Sequence, residues 1–289
     1  MQKISNAITL LRIPFSVFLM PIFWFGLINI ELNEDNWLYA FLVFIILHLF
    51  TYPASNGYNS YCDKDEGSIG GIEKPPIVNE YLIYLVILFD VLAVALSLFL
   101  NIHFAIGILI YLLVSKAYSW PQIRIKKYPI LSTVIVTLFQ GAFTYLLVFQ
   151  GIEGKVVFNS QVIIPAVTGT LFLAGSYPIT QIYQHEEDAG RGDKTLSLLL
   201  GIKGTFIFAG LMFIIASALM CVWLNDWGSI AIYFAGTGGI GMFFTKWALS
   251  SLKNPEAANF KNTMRMNKIS SLSLSATFIL IKVYTYIFL

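Results

Sequence analysis

Nine apolar stretches set the terms for this chain of 289 residues. Crossing roughly 30 Å of hydrocarbon takes about 20 residues of helix, and the sequence supplies such segments near 8–30, 37–59, 80–100, 103–120, 129–150, 162–184, 203–224, 228–250 and 269–289. With 57% hydrophobic and 12% charged residues, the composition is far from that of soluble domains. The expected fold is all-α, a polytopic membrane protein with nine transmembrane helices. The first segment is long, lacks a small-residue cleavage site and is one of nine alike, which argues against a cleavable signal peptide. No soluble domain or long linker interrupts the helices, so residues 1–289 read as one domain.

Basic residues accumulate on the cytoplasmic side of membrane proteins. Here most of them fall at the N-terminus and in or beside alternate loops, at 60–79, 119–128, 185–202 and 251–268. The intervening loops are short and carry Glu31, Glu34, Asp35, Glu153 and Asp226 against Lys155. This predicts a cytoplasmic N-terminus, an external C-terminus and function at the long cytoplasmic loops. A net charge of +2 gives no sign of nucleic-acid binding.

A polar pattern recurs 125 residues apart: Tyr52-Pro53…Asn59…Asp63…Gly67 and Tyr177-Pro178…Gln184…Asp188…Gly192. In each copy a carboxamide precedes an aspartate by four residues, so on a helix the two side chains share a face. Both copies emerge on the same side, which makes the halves parallel pseudo-repeats. A pseudo-twofold along the membrane normal would bring the clusters face to face around a central cavity.

Seven carboxylates gather in the two motifs: Asp63, Asp65 and Glu66, then Glu186, Glu187, Asp188 and Asp193. Carboxylates on facing helices repel unless a cation lies between them, and Mg²⁺ suits carboxylates combined with phosphate oxygens. A diphosphate is the natural bridged ligand. Arg124, Lys126 and Lys127, where the chain leaves the fourth segment, offer it positive charge. The plainer reading makes the acids solvated loop charges and the basic run topogenic; it is weakest for Asp63 and Asp188, which share one repeat position. Asp90, mid-segment, needs a partner or a cavity, either for acceptor chemistry or for a bond to another helix. Lys116 is placed to snorkel, and His48 to donate between helices. Cys62 sits among acids that disfavour a thiolate, the two cysteines and three histidines show no metal-ligand spacing, and no glycine pattern suggests ATP.

These motifs resemble the UbiA-type intramembrane prenyltransferases over essentially the whole chain. That family has nine helices, aspartate-rich motifs N-x-x-x-D-x-x-x-D and D-x-x-x-D on helices two and six, and a Tyr/Ser–Pro–basic stretch after helix four. Asn59 and Asp63 align with the first motif, and Asp188, Gly192 and Thr195 with the second. Pro121, Arg124 and Lys126 match the basic stretch, and Leu11-Arg12-Ile13-Pro14 resembles the opening of helix one. The resemblance implies a transferase that takes an isoprenyl group from a prenyl diphosphate and gives it to an aromatic or lipid acceptor, with Mg²⁺ as cofactor and membrane lipids as surroundings. It implies Asp63, Asp188 and Lys126 as catalytic residues. Asn59, Arg124, Lys126 and Arg12 would bind diphosphate, and Asn59, Asp63, Gln184 and Asp188 would bind metal.

Two departures bear on that implication. Gly67 stands where the first motif ends in aspartate, and Gln184 where the second begins in aspartate. Asp65, Glu66 or Glu187 can substitute, and Gln184 retains a carbonyl oxygen. Shifted metal geometry, one Mg²⁺ instead of two, and lost catalysis in an isoprenoid-binding relative all stay open. A cation-coupled secondary transporter is the competing class, but its sites lie near the midplane at broken helices, whereas these motifs lie at a cytoplasmic edge.

Overall fold

The computed structural model describes residues 2–288, the side chain of Arg191 excepted. Among the described residues the chain is all-α, and nine helices are long and apolar enough to cross a membrane: α1 (Gln2–Ile28), α2 (Trp37–Asp63), α3 (Glu80–Leu98), α4 (Ile102–Ser119), α5 (Pro129–Glu153), α6 (Ser160–Gly190), α7 (Leu196–Leu224), α8 (Trp227–Lys253) and α9 (Phe260–Phe288). Several run past the apolar stretches read from sequence. Helix α9 begins at Phe260 rather than 269 and takes Lys261, Arg265 and Lys268 into its first turns. Apolar content marks the hydrocarbon boundary, whereas capping marks the helix boundary. Asn101 Oδ1 accepts from the Phe104 N–H at 2.8 Å to start α4, and Thr195 Oγ1 accepts from the Leu198 N–H at 3.3 Å to start α7.

The chain forms two compact units. The first comprises the chain up to Val17, Leu32–Lys126 and Leu147–Val156; the second comprises Phe18–Glu31, Lys127–Leu146 and the chain from Val157 onward.

In the first unit α1 breaks at Arg12, whose φ is 52°, two residues before Pro14. Proline cannot donate the helical hydrogen bond and disfavours helical geometry in the residue before it. The Arg12 guanidinium reaches away from the break, donating to the carbonyls of Asn56 at 3.1 Å and Gly70 at 3.4 Å. Gly70 and Gly71 form the tip of a tight turn in which Ile69 and Ile72 exchange backbone hydrogen bonds, both 2.9 Å. Gly71 has φ 86°, and a Cβ on Gly70 would meet the Phe15 ring at 2.6 Å. Ile69 is buried with Leu10, Leu11, Leu82 and Val86, so the turn is packed onto α1 and α3. Helix α2 widens into a π-helical stretch at Ile46–Thr51 just before Pro53. The wide turn makes room for the proline ring, and Thr51 Oγ1 donates to the Ile46 carbonyl at 2.8 Å.

In the second unit Phe25 of α1 stacks on Phe278 of α9 at 4.8 Å and meets Trp223 of α7 and Tyr145 of α5 at 5.3 and 5.4 Å. Lys282 of α9 caps the end of α1, with Nζ donating to the carbonyls of Ile28 and Ile30 at 3.2 and 2.7 Å. Helix α5 also carries a π-helical stretch, Phe139–Phe143. Its Ala142 N–H donates to Thr170 Oγ1 of α6 at 3.0 Å, and a Cβ on Gly141 would lie 2.6 Å from Thr170 Cα. Backbone cannot yield as a flexible side chain can, so close approach of α5 and α6 requires glycine. We therefore expect Gly141→Ala to lower the stability of the detergent-solubilised protein by about 1–3 kcal/mol, read as a fall in the thermal midpoint. An unchanged midpoint would remove the close-packing account of this position.

Candidate active site

Asp63 is the last residue of α2 and its side chain is only 4% exposed. A helix C-terminus carries partial negative charge, so a buried carboxylate there needs cations. Lys126 Nζ lies 2.5 Å from Asp63 Oδ1, and Arg124 Nη1 lies 3.7 Å from the same oxygen. Its other oxygen, Oδ2, accepts from Asn59 Nδ2 at 2.9 Å, one turn back on α2. The same Asn59 nitrogen donates to Ser119 Oγ, the fully buried last residue of α4, at 2.8 Å. The first unit thus brings together four residues singled out in the sequence, Asn59, Asp63, Arg124 and Lys126, and adds Ser119.

The backbone explains how two distant basic residues reach the acid. Helix α4 ends at Ser119 because Pro121 follows, and the chain turns back so that the Arg124 N–H donates to the Trp120 carbonyl at 2.7 Å. Arg124 itself has φ 44°, a left-handed conformation costing about 1–2 kcal/mol for a residue with a Cβ. Strain of this kind is held in place by surrounding structure and clusters at functional sites. Lys126 then lies in the short helical turn Ile125–Lys127. Lys64, with φ 50°, closes α2 by donating its N–H to the Ser60 carbonyl at 3.0 Å. Beyond it Asp65 is half-buried and Glu66 exposed.

The second motif, in the second unit, departs from the expected geometry. Helix α6 tightens to 3₁₀ at Ile182–Gln184 before a last α-helical stretch, His185–Arg191. Gln184 therefore sits at a change of helix type, φ −103° and ψ 6°, and not on one regular α-helix with Asp188. Glu186, Glu187 and Asp188 occupy the first turn of that stretch, where partial positive charge favours carboxylates. Gly192, φ 73°, ends it, and the Asp193 N–H donates to the Asp188 carbonyl at 2.9 Å. A hydrogen-bonded chain not foreseen from sequence ties this end to α7: His185 Nε2 and Ser197 Oγ lie 2.7 Å apart, and Ser197 Oγ and Thr205 Oγ1 3.0 Å.

Asp90 and Lys116 solve each other's problem. Lys116 Nζ lies 2.8 Å from Asp90 Oδ1, both about one-fifth exposed, and 5.2 Å from the centre of the Tyr58 ring. This corrects the expectation that Lys116 snorkels: an ion pair within the helices offers its ammonium a partner closer than the interface.

Among the described residues no group of three His, Cys, Asp or Glu side chains converges as a metal cage. The donors at Asp63 nevertheless fit Mg²⁺, which commonly takes one or two carboxylates and completes its shell with water and substrate phosphate oxygens. Both N–H bonds of the Asn59 carboxamide are directed at Asp63 and Ser119, which leaves its Oδ1 as a hard oxygen donor.

Fold and site together define a polytopic membrane protein with a buried ionic centre at a helix end. The chain matches the UbiA prenyltransferase family over residues 18–269 and belongs to it. Solved structures share the fold. Digeranylgeranylglyceryl phosphate synthase matches with a TM-score of 0.60 at 21% identity, covering 98% of each chain. A UbiA homologue from Aeropyrum pernix K1 matches at 0.70 and 17% identity, covering 93% of this chain and 98% of that one. A homologue from Archaeoglobus fulgidus bound to DMAPP and Mg²⁺ matches at 0.65 and 18% identity, covering 96% and 99%. No curated protein matches the chain.

The Asp90–Lys116 pair yields a test of its own. Removing one partner strands a charge, whereas replacing both with apolar residues does not. Lys116→Leu alone should lower thermal stability, by up to about 3 kcal/mol, and adding Asp90→Leu should recover most of the loss. A double variant worse than the single would contradict this assignment.

Proposed function

We propose that the protein is a Mg²⁺-dependent intramembrane prenyltransferase, moving an isoprenyl group from a prenyl diphosphate to an aromatic or lipid acceptor. The observation that carries this reading is the buried Asp63 carboxylate, with Asn59 on one oxygen and Lys126 and Arg124 on the other. Family membership supports it, as do homologues bound to DMAPP or GPP together with Mg²⁺. The active site faces the cytoplasm, the side on which the basic loops and the N-terminus lie, with the C-terminus outside.

In the first unit Asp63 and Asn59 Oδ1, with Asp65 or Glu66 as substitutes, would hold Mg²⁺, which when bound offsets charge on the departing diphosphate; in the second unit Asp188 and Gln184, with Glu187 as substitute, are the proposed metal ligands. Lys126 and Arg124 turn from Asp63 to the phosphate oxygens, where the guanidinium can bond in bidentate fashion. As the bond from the prenyl C1 to oxygen breaks, its electron pair leaves with the diphosphate, and these two side chains stabilise the anion more strongly than they did the bound ester. The acceptor nucleophile bonds to C1 and gives up a proton, which the released diphosphate can take. Apolar helix faces exclude water, which would otherwise capture the allylic cation. Arg12 would join Lys126 and Arg124 as a diphosphate ligand, and it also holds the α2 carbonyl of Asn56 and the Gly70 turn.

Asp63→Ala and Asp188→Ala should each abolish Mg²⁺-dependent diphosphate binding in protein that still folds; retained binding in either removes that residue from the metal set. Lys126→Ala should weaken donor binding about 10- to 100-fold, the loss of one charge-assisted hydrogen bond, with little change in acceptor KM. The opposite kinetic pattern would contradict its role. Gly67 and Gln184 favour a second reading, a catalytically silent isoprenoid-binding relative. Gly67→Asp combined with Gln184→Asp separates the two. Activity that appears only in the double variant supports the silent relative, and activity already present in the natural chain supports a working site with its own ligand set.

A further inference from the structure

We infer that Ser119 is a positioning residue for metal binding, selecting which atom of the Asn59 carboxamide is presented to the metal. The inference rests on the prenyltransferase reading and deepens it. A carboxamide rotated by 180° exchanges an acceptor for a donor with little change of shape. Only its hydrogen bonds decide between the two orientations. Asn59 Nδ2 has two N–H bonds. One goes to Asp63 Oδ2 at 2.9 Å and the other to Ser119 Oγ at 2.8 Å. Asp63 can only accept while ionised, so it holds the amide nitrogen towards itself, and Ser119 engages the second hydrogen. With both satisfied, Oδ1 is the atom left for a hard cation. Ser119 is fully buried, so water cannot take over its part.

The hydroxyl is delivered to a fixed place. One turn earlier on α4, Lys116 pairs with Asp90 of α3 at 2.8 Å and lies 5.2 Å from the ring of Tyr58, the residue before Asn59. One residue later Trp120 donates its N–H to the Lys116 carbonyl at 2.8 Å, and Pro121 ends the helix. The last turn of α4 is thus pinned to α3 through Asp90 and to α2 through Tyr58 and Asn59. Ser119→Ala leaves one buried N–H without a partner and allows the amide to turn, putting a donor where the cation needs an acceptor. Outer partners of this kind commonly change metal affinity 10- to 100-fold.

The test is Mn²⁺ titration followed by electron paramagnetic resonance, with inorganic diphosphate present and no prenyl donor, on the full-length protein and its Ser119→Ala, Ser119→Thr, Asn59→Ala and Ser119→Ala/Asn59→Ala variants. Thermal midpoints are measured alongside. Ser119→Ala should weaken Mn²⁺ binding about 10-fold with an unchanged number of sites. Ser119→Thr, which keeps the hydroxyl, should bind within a factor of about two of the natural chain, and the double variant should bind no more weakly than Asn59→Ala. Natural affinity in Ser119→Ala, or additive losses in the double variant, would overturn the inference. A lowered midpoint with fewer sites at full affinity, which marks a folding defect, would overturn it too. If the natural chain binds no Mn²⁺ with diphosphate, or Asn59→Ala binds as well as the natural chain, the metal reading itself fails.

Discussion

Peptide groups in hydrocarbon have no water to bond, so each departure from regular helix must find a partner within the protein. That requirement accounts for many of the polar contacts in this chain. The arginine at the α1 break before Pro14 turns its guanidinium on the carbonyl of Gly70, in the irregular turn after α2, and on that of Asn56. The end of α1 is closed by Lys282 from the last helix. The π-helical stretch before Pro53 returns Thr51 to the Ile46 carbonyl, and the one in α5 presents the Ala142 N–H to Thr170. Charged and hydroxyl side chains that look out of place in apolar segments are the means by which irregular backbone is tolerated there.

The same reasoning isolates Asp63. A carboxylate at the end of a helix, where partial charge is already negative, and only 4% exposed, is stable only with cations beside it. The chain supplies two, one of them at the cost of a left-handed backbone at Arg124. Lys126 and Arg124 both reach this acid. The arrangement suits an anion that arrives with its own metal, when the acid turns to the metal and the basic groups to the anion.

Much of the fold was legible in the sequence, since long apolar runs admit few alternatives. Helix ends were less so, because Lys261, Arg265 and Lys268 lower apolar content without ending α9. The candidate site was legible where residue type and spacing carried the signal, as at Asn59, Asp63, Arg124 and Lys126. It was illegible where contacts between distant helices decide. Ser119 reads as an ordinary small residue until Asn59 is found against it. The Asp90–Lys116 pair joins positions 26 apart in sequence with no periodic signal linking them. The change of helix type at Gln184 was hidden because 3₁₀ and α turns share the same residues.

The most direct measurement of the central claim is turnover by the natural chain. Purified protein would be given geranylgeranyl diphosphate, a membrane extract as acceptor source, and either Mg²⁺ or EDTA, with diphosphate release and lipid masses recorded. The account predicts release that requires Mg²⁺ and a new lipid heavier by the prenyl group. Donor binding without release, across several donor lengths, would contradict it.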